Sequence, residues 1–488
     1  MKGEFTLVKP EFRVLGGIFF LEDRTDAVIR GHPYRNEILG SRRLCPGMQE
    51  VDTIISGGRI LTSDEKDSII HSGSIAIDGD MIAGIGRSED IEVSFSGRRT
   101  IDARNCLVMP GLINSHTHAA MTCFRGIADD MALMDWLNNY IFPAEARNVD
   151  PELAYWGSML ACAEMIKSGT TTFCDMYLFE DETAQVARQA GMRCLLGEGL
   201  FDFPSPNAKT PEEGFAYIRM LIDKWADDPL VSIIVEPHSL YTCSPSLLKN
   251  AKALADEYNL PFATHFLENK MEAKQLKEKF GKRATAFLRD IGWLDERFLA
   301  FHCVCMDEED IKMFADHGCK IVHNPESNMK LASGTAPISS MLEHGITVGL
   351  GTDGCASNNN LDMFGEMSTA AKLEKAEMLD PTVMSAKTVV RMATRDGAHV
   401  LGMENITGSL KLGMKADVII IDLNKPHLTP MYNEYSHIVY AAGGSDVETV
   451  MINGRIVMEN RRLLTINENE AMERVRKIAK RIKRSLEV

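Results

Sequence analysis

Between residues 109 and 405, eight short apolar runs alternate with longer stretches of helical periodicity. The runs are "LVMPGLIN", "TTTFCDM", "RCLLGEGL", "SIIVEPH", "PFATHFL", "FLAFHC", "CKIVHN" and "ITVGLGTD". Runs this short and this apolar suit strands buried on both faces, as in a parallel sheet covered by helices. Patterns such as "PELAYWGSMLACAEMIKSG" and "SPSLLKNAKALADEYN" supply helices between them. Eight β/α units in ~300 residues predict an α/β fold of the (β/α)8, TIM-like kind. An open doubly wound sheet is the competitor. It would want a G-x-G-x-x-G loop after an early strand, and none stands there.

The flanks are patterned differently. Residues 49–108 contain "VDTIISGGRI" and "SGSIAIDGDMIAGIG", which alternate apolar and polar residues, with "DGD" as a hairpin turn. Residues 406–465 repeat this style in "GSLKLGMKADVIIIDL" and "VETVMINGRIVMEN". The two ends predict one small β-sandwich flanking the barrel of residues 109–405. In residues 466–488, Met472, Val475, Ile478, Ile482 and Leu486 recur at helical spacing, which predicts an amphipathic helix with a solvated basic face. Residues 1–48 show no persistent periodicity and read as an extension.

The net charge of −16 argues against nucleic acid as a partner. No apolar run approaches the ~18 residues of a membrane span, and the first residues do not form a signal peptide. Eleven cysteines without a framework read as reduced thiols, so a cytoplasmic location is expected. A homo-oligomer is compatible with the sequence.

Catalytic groups of such barrels stand at the C-terminal ends of the strands. Here those ends carry His116 and His118, then His238, His265 with Glu268, His302, and finally Asp353. One such histidine is commonly a satisfied structural residue. Imidazoles and a carboxylate at several independent strand ends are harder to explain by packing. His116, His118, His265 and Asp353 make a nitrogen-rich set suited to Zn²⁺, with Fe²⁺ second. "FHCVC" also resembles a metal motif, but Cys303 and Cys305 read better as buried thiols.

The motifs "PGLINSHTH", "THFLE", "AFHC", "HNPESNMKLASGTAP" and "GTDGCASNNNLDMF" resemble the amidohydrolase superfamily, specifically its 5-methylthioadenosine/S-adenosylhomocysteine deaminases. The resemblance runs from about Val51 to the last strands; residues 1–48 lie outside it. It implies one divalent metal per chain, on His116, His118, His265 and Asp353. Strand four offers no lysine to bridge a second metal. It also implies hydrolytic deamination of an adenosine-like nucleoside. Glu268 would shuttle the proton, Asp353 would accept a hydrogen bond from the attacking water, and His302 would orient that water. Glu145 is assigned to ribose hydroxyls and His238 to the substrate by the resemblance alone. Two rival functions remain: a triazine-type amino- or chlorohydrolase of the same superfamily, and a scaffold on a dead barrel.

One departure bears on specificity. Members that handle S-adenosylhomocysteine often carry arginine near the end of strand three, where this chain has Glu198. The loop after it has Lys209 as its only cation. A glutamate facing the substrate would repel a carboxylate, so uncharged 5′ groups are expected to be preferred.

Overall fold

Eight parallel strands form the centre of the molecule. They are β1 (Leu112–Thr117), β2 (Thr170–Tyr177), β3 (Arg193–Leu200), β4 (Val231–Ile233, resuming at Glu236–Pro237), β5 (Phe262–Phe266), β6 (Phe298–His302), β7 (Lys320–His323) and β8 (Val348–Leu350). This computed structural model describes residues 48–131 and 133–486, with a short backbone pairing of Val14–Leu15 and Ile18–Phe19. The extension read in residues 1–48 otherwise lies outside the described residues.

Strands β1 to β4 pair in parallel, as do β5 to β8. Parallel bridges Val235–Phe262 and Ser239–His265 join the two sets. The other seam closes where the Asp353 N–H donates to the His116 carbonyl at 3.0 Å. Gly351 is required there, because a Cβ would lie 2.7 Å from the His116 nitrogen.

Period-two alternation divides each strand between two apolar clusters. Ile113, Cys174, Leu195, Ala263, Leu299 and Val322 fill the barrel interior. Their neighbours Leu112, Phe173, Cys194, Phe262, Phe298 and Ile321 face the helices. Each run is therefore apolar throughout because both faces are covered. The helices start where the sequence says they should: Asp150, Thr210 and Ser244 each accept a backbone N–H at the start of a helix that opens with proline.

The first apolar run is two strands rather than one. Cys106–Pro110 pairs with the outer sheet, and β1 starts only at Leu112. Gly111 stands at the break, where a Cβ would lie 2.1 Å from the Thr171 side chain. Strands from both ends of the chain build this nine-stranded outer sheet. Val418–Asp422 lies between Cys106–Pro110 and Val447–Ile452. Ile55, Ile75, Ile82, Val108, Val418 and Met451, from across the sheet, share one cluster, so it folds over its own apolar face. The C-terminal helix, Glu468–Leu486, buries Ala471, Val475, Ile478 and Ile482. Leu486, placed on that stripe by spacing, is exposed instead. No described helix is long and apolar enough to cross a membrane. The ten described cysteines are all unpaired, with Cys303 buried and Cys305 half-buried.

Candidate metal centre and active site

Strand ends β1, β5, β6 and β8 bring their polar residues together. Ligand atoms of His116, His265, His302 and Asp353 all lie within 4.8 Å of one another. His118 falls outside that grouping but adjoins it, with Nε2 3.1 Å from Asp353 Oδ1. All five residues are buried or nearly so. The β1–β2 pairing is irregular between Asn114 and Thr117, which re-aims the end of β1. His302 and Asp353 hold left-handed backbone conformations (φ 69° and 61°), which side-chain-bearing residues rarely adopt. Such strain is kept where the surroundings demand a particular side-chain direction.

The imidazoles are fixed through their second nitrogens. His265 Nδ1 meets the His238 carbonyl at 2.7 Å, and His118 Nδ1 meets the Met176 carbonyl. His302 Nδ1 meets Asn328 Oδ1 at 2.8 Å. Orienting partners of this kind are typical of metal-site histidines. His116 stacks on Phe301 at 3.9 Å, and both its ring nitrogens are buried without a hydrogen bond. A buried unpaired nitrogen is costly, so this donor set fits a cation.

Charge points the same way. Burial, reinforced by neighbouring imidazoles, drives His116 down to about 3 and His265 well below the usual histidine value, leaving both neutral as ligands must be. Burial alone would neutralise Asp353, but the His116 and His118 rings hold it well below the usual carboxylate range. His118 is the exception. Against the cost of burial, its contact with Asp353 raises it to about 9. A cation taking up His118 must therefore displace a proton.

Glu268 lies just past β5 and is driven to about 8, by burial first and by the Asp353 charge second. It is a carboxyl that keeps its proton at neutral pH. His238, lowered to about 3 by burial and the nearby histidines, is a neutral ring 4.8 Å from His265 between centroids. Glu145 accepts a hydrogen bond from Tyr177 Oη at 2.7 Å, and burial raises it to about 7. Glu145, His238, Glu268 and Asp353 line one pocket, whose outer wall is apolar and includes Trp136, Ile141 and Phe201.

An amidohydrolase family model matches residues 107–457. The chain belongs to the amidohydrolase family. Among curated relatives, this amidohydrolase is 67% identical to 5-methylthioadenosine/S-adenosylhomocysteine deaminase 1 of Syntrophus aciditrophicus, over 90% of this chain and 99% of that protein. It is 44% identical to the 5′-deoxyadenosine deaminase of Methanosarcina mazei, over 88% and 98%. A crystal structure of an adenosine deaminase from Xanthomonas campestris with bound zinc superposes with a TM-score of 0.88 at 36% identity, covering 89% of this chain and 99% of that one.

Several residues that hold this amidohydrolase's site together escape a reading of strand ends. Ser327 and Ser357 donate to Asp353 Oδ2 at 2.6 and 2.8 Å. Glu272 accepts the N–H groups of Leu267 and Glu268 and so fixes the turn after β5. Ser327, Asn328 and Ser357 lie inside the motifs that carry the family resemblance, and Glu272 follows Glu268 by four residues. Tyr177 had no such signal.

Glu198 is not where the sequence suggested. It is 1% exposed and absent from the pocket lining. Its carboxyl accepts the N–H groups of Phe179 and Glu180 and the Asn207 amide, at the start of helix Glu180–Ala190. It is a helix-end acceptor, favourable at the positive end of a helix, and does not face substrate. Lys209 is exposed and also outside the lining. The pocket nevertheless has no lysine or arginine among its described lining residues.

Proposed function

We propose that this amidohydrolase removes the 6-amino group of adenosine-like nucleosides by hydrolysis, releasing ammonia and an inosine-type product. The substrates in scope are 5′-methylthioadenosine, S-adenosylhomocysteine, 5′-deoxyadenosine and adenosine. The observation that carries the reading is Glu268. It is a buried carboxyl that keeps its proton beside a histidine–aspartate cluster and inside a largely apolar pocket. One divalent cation, zinc before iron, would be held by His116, His118, His265 and Asp353. When bound, it supplies a water activated for attack at neutral pH.

The chain's own residues do the rest. Glu268 gives its proton to the purine ring nitrogen N1, which makes C6 electrophilic. Asp353, oriented by Ser327 and Ser357 at Oδ2 and by the Gly354 N–H at Oδ1, accepts a hydrogen bond from the attacking water. His302, steadied by Asn328, orients that water. Glu145 takes the ribose hydroxyls and His238 contacts the substrate. The apolar wall excludes bulk water from the reacting ring.

The test is a panel of the four nucleosides followed by the change in ultraviolet absorbance, with metal content measured alongside. About one equivalent of metal and turnover of the panel are expected. His118→Ala should lose the metal and His302→Ala should keep it with reduced turnover. Two tightly bound metals per chain, or metal lost from the His302 variant alone, would overturn the ligand assignment. Ammonia release from none of the nucleosides would overturn the activity.

A further inference from the structure

The C-terminal helix carries a basic face along its exposed side. Its position gives it a second role. Val475, Ile478 and Ile482 belong to the same apolar cluster as Trp136, Leu137 and Ile141. Those last three side chains line the substrate pocket. They lie on a π-helical turn, Trp136–Ile141, that runs directly into helix Phe142–Asn148, the bearer of Glu145. π-Turns are rare and recur at functional sites.

A polar latch closes the same contact. Arg147 Nη1 donates to the Ser485 carbonyl at 3.0 Å, and the Asn148 amide donates to Ser485 Oγ at 2.7 Å. Arg481 donates to the Asn148 carbonyl at 3.2 Å and pairs with Asp150 at 3.0 Å. Arg481 thus binds the carbonyl that ends the Glu145 helix and the aspartate that caps the next one. Neither Arg481 nor Ser485 lines the pocket.

We infer that Arg481 and Ser485 are positioning residues for substrate binding: they anchor the helix that presents Glu145, so the C-terminal helix sets the affinity of the ribose subsite from outside it. The inference rests on the proposed contact of Glu145 with the ribose hydroxyls.

The experiment compares kcat/KM for adenosine and for 2′,3′-dideoxyadenosine, which lacks those hydroxyls, in the full-length, metal-loaded enzyme. Glu145→Gln and Arg481→Ala should each lower the adenosine-to-dideoxyadenosine ratio by about 10-fold, the size of one lost hydrogen bond to a charged group. The Arg481 effect should fall mainly on KM for adenosine, with metal content unchanged. Arg481→Lys, which keeps a cation opposite Asp150, should recover part of the ratio. Ser485→Ala, which deletes a single hydroxyl, should shift the ratio the same way by a smaller factor. If Glu145→Gln lowers the ratio while the Arg481 and Ser485 variants lower both substrates equally, or neither, the positioning role is overturned and the Glu145 contact stands. If Glu145→Gln leaves the ratio unchanged, the Glu145 contact fails and the positioning role falls with it.

Discussion

Among single residues, Glu268 and Glu198 show how similar burial serves different ends. Glu268 opens into the pocket with its proton retained, and Glu268→Gln is expected to keep the metal while losing about 10²-fold in kcat, the usual scale for an acid–base group. Near-normal turnover by the metal-loaded variant would sink the proton-transfer role. Glu198 is enclosed. Burial raises it from the usual 4.5 to about 7, against the pull of Asn207 and the N–H groups of Glu180 and Phe179. Across that window the folded protein holds a proton that the unfolded chain has released. Its contribution to stability is therefore fully present below 4.5 and is lost as pH rises toward 7. Glu198→Gln should flatten this decline in denaturant midpoints measured from pH 5 to 8, and should leave the ratio of kcat/KM for 5′-methylthioadenosine and S-adenosylhomocysteine as in the parent. That ratio should favour 5′-methylthioadenosine, because no described lysine or arginine in the pocket lining meets a substrate carboxylate. Equal or higher efficiency with S-adenosylhomocysteine would show that a cation from elsewhere reaches it.

At the level of elements, the short helix Pro325–Lys330 after β7 supports two strand ends at once. Ser327 bonds Asp353 at the end of β8, and Asn328 bonds His302 at the end of β6. Supports of this kind typically change metal affinity or activity by about 10- to 100-fold when removed. Ser327→Ala should weaken the metal, read by competition with a chelator, because Asp353 Oδ2 keeps only Ser357. Asn328→Ala should instead lower kcat, with metal affinity close to the parent. An identical loss of metal in both variants would show that the helix acts as one block and that His302 belongs among the ligands.

Across the whole molecule, barrel and outer sheet are tied by a buried ion pair. Arg193, at the start of β3, donates to Asp417 at 3.0 and 3.3 Å and to Asn453 at 3.3 Å. Both charged residues are almost fully buried. Removing one partner of such a pair strands a charge and costs about 3–5 kcal/mol. Arg193→Met should lower the calorimetric unfolding temperature markedly. The double variant Arg193→Met/Asp417→Leu should recover much of that loss, since it leaves no stranded charge. If the single variant unfolds like the parent, the Arg193–Asp417 pair is not what ties the two layers.

Much of this architecture was legible one segment at a time. Alternation and run length are local consequences of backbone geometry, so the eight barrel strands, the Asp78–Met81 hairpin and the apolar stripe of Val475, Ile478 and Ile482 could be read without the fold. The histidines and Asp353 were legible for a related reason: strand ends are where a barrel displays its chemistry. What only the tertiary structure decided depends on contacts between distant segments. Position 111, where the first run breaks, must be glycine because Thr171, on a neighbouring strand, leaves no room for a Cβ. Glu198 faces a helix end because the turn at Phe179–Glu180 comes to lie beside it. The pocket wall rests on the C-terminal helix through Arg481 and Asn148, 333 residues apart. Periodicity says which face of a segment is apolar, but not which other segment will cover it; that is settled only when the layers pack.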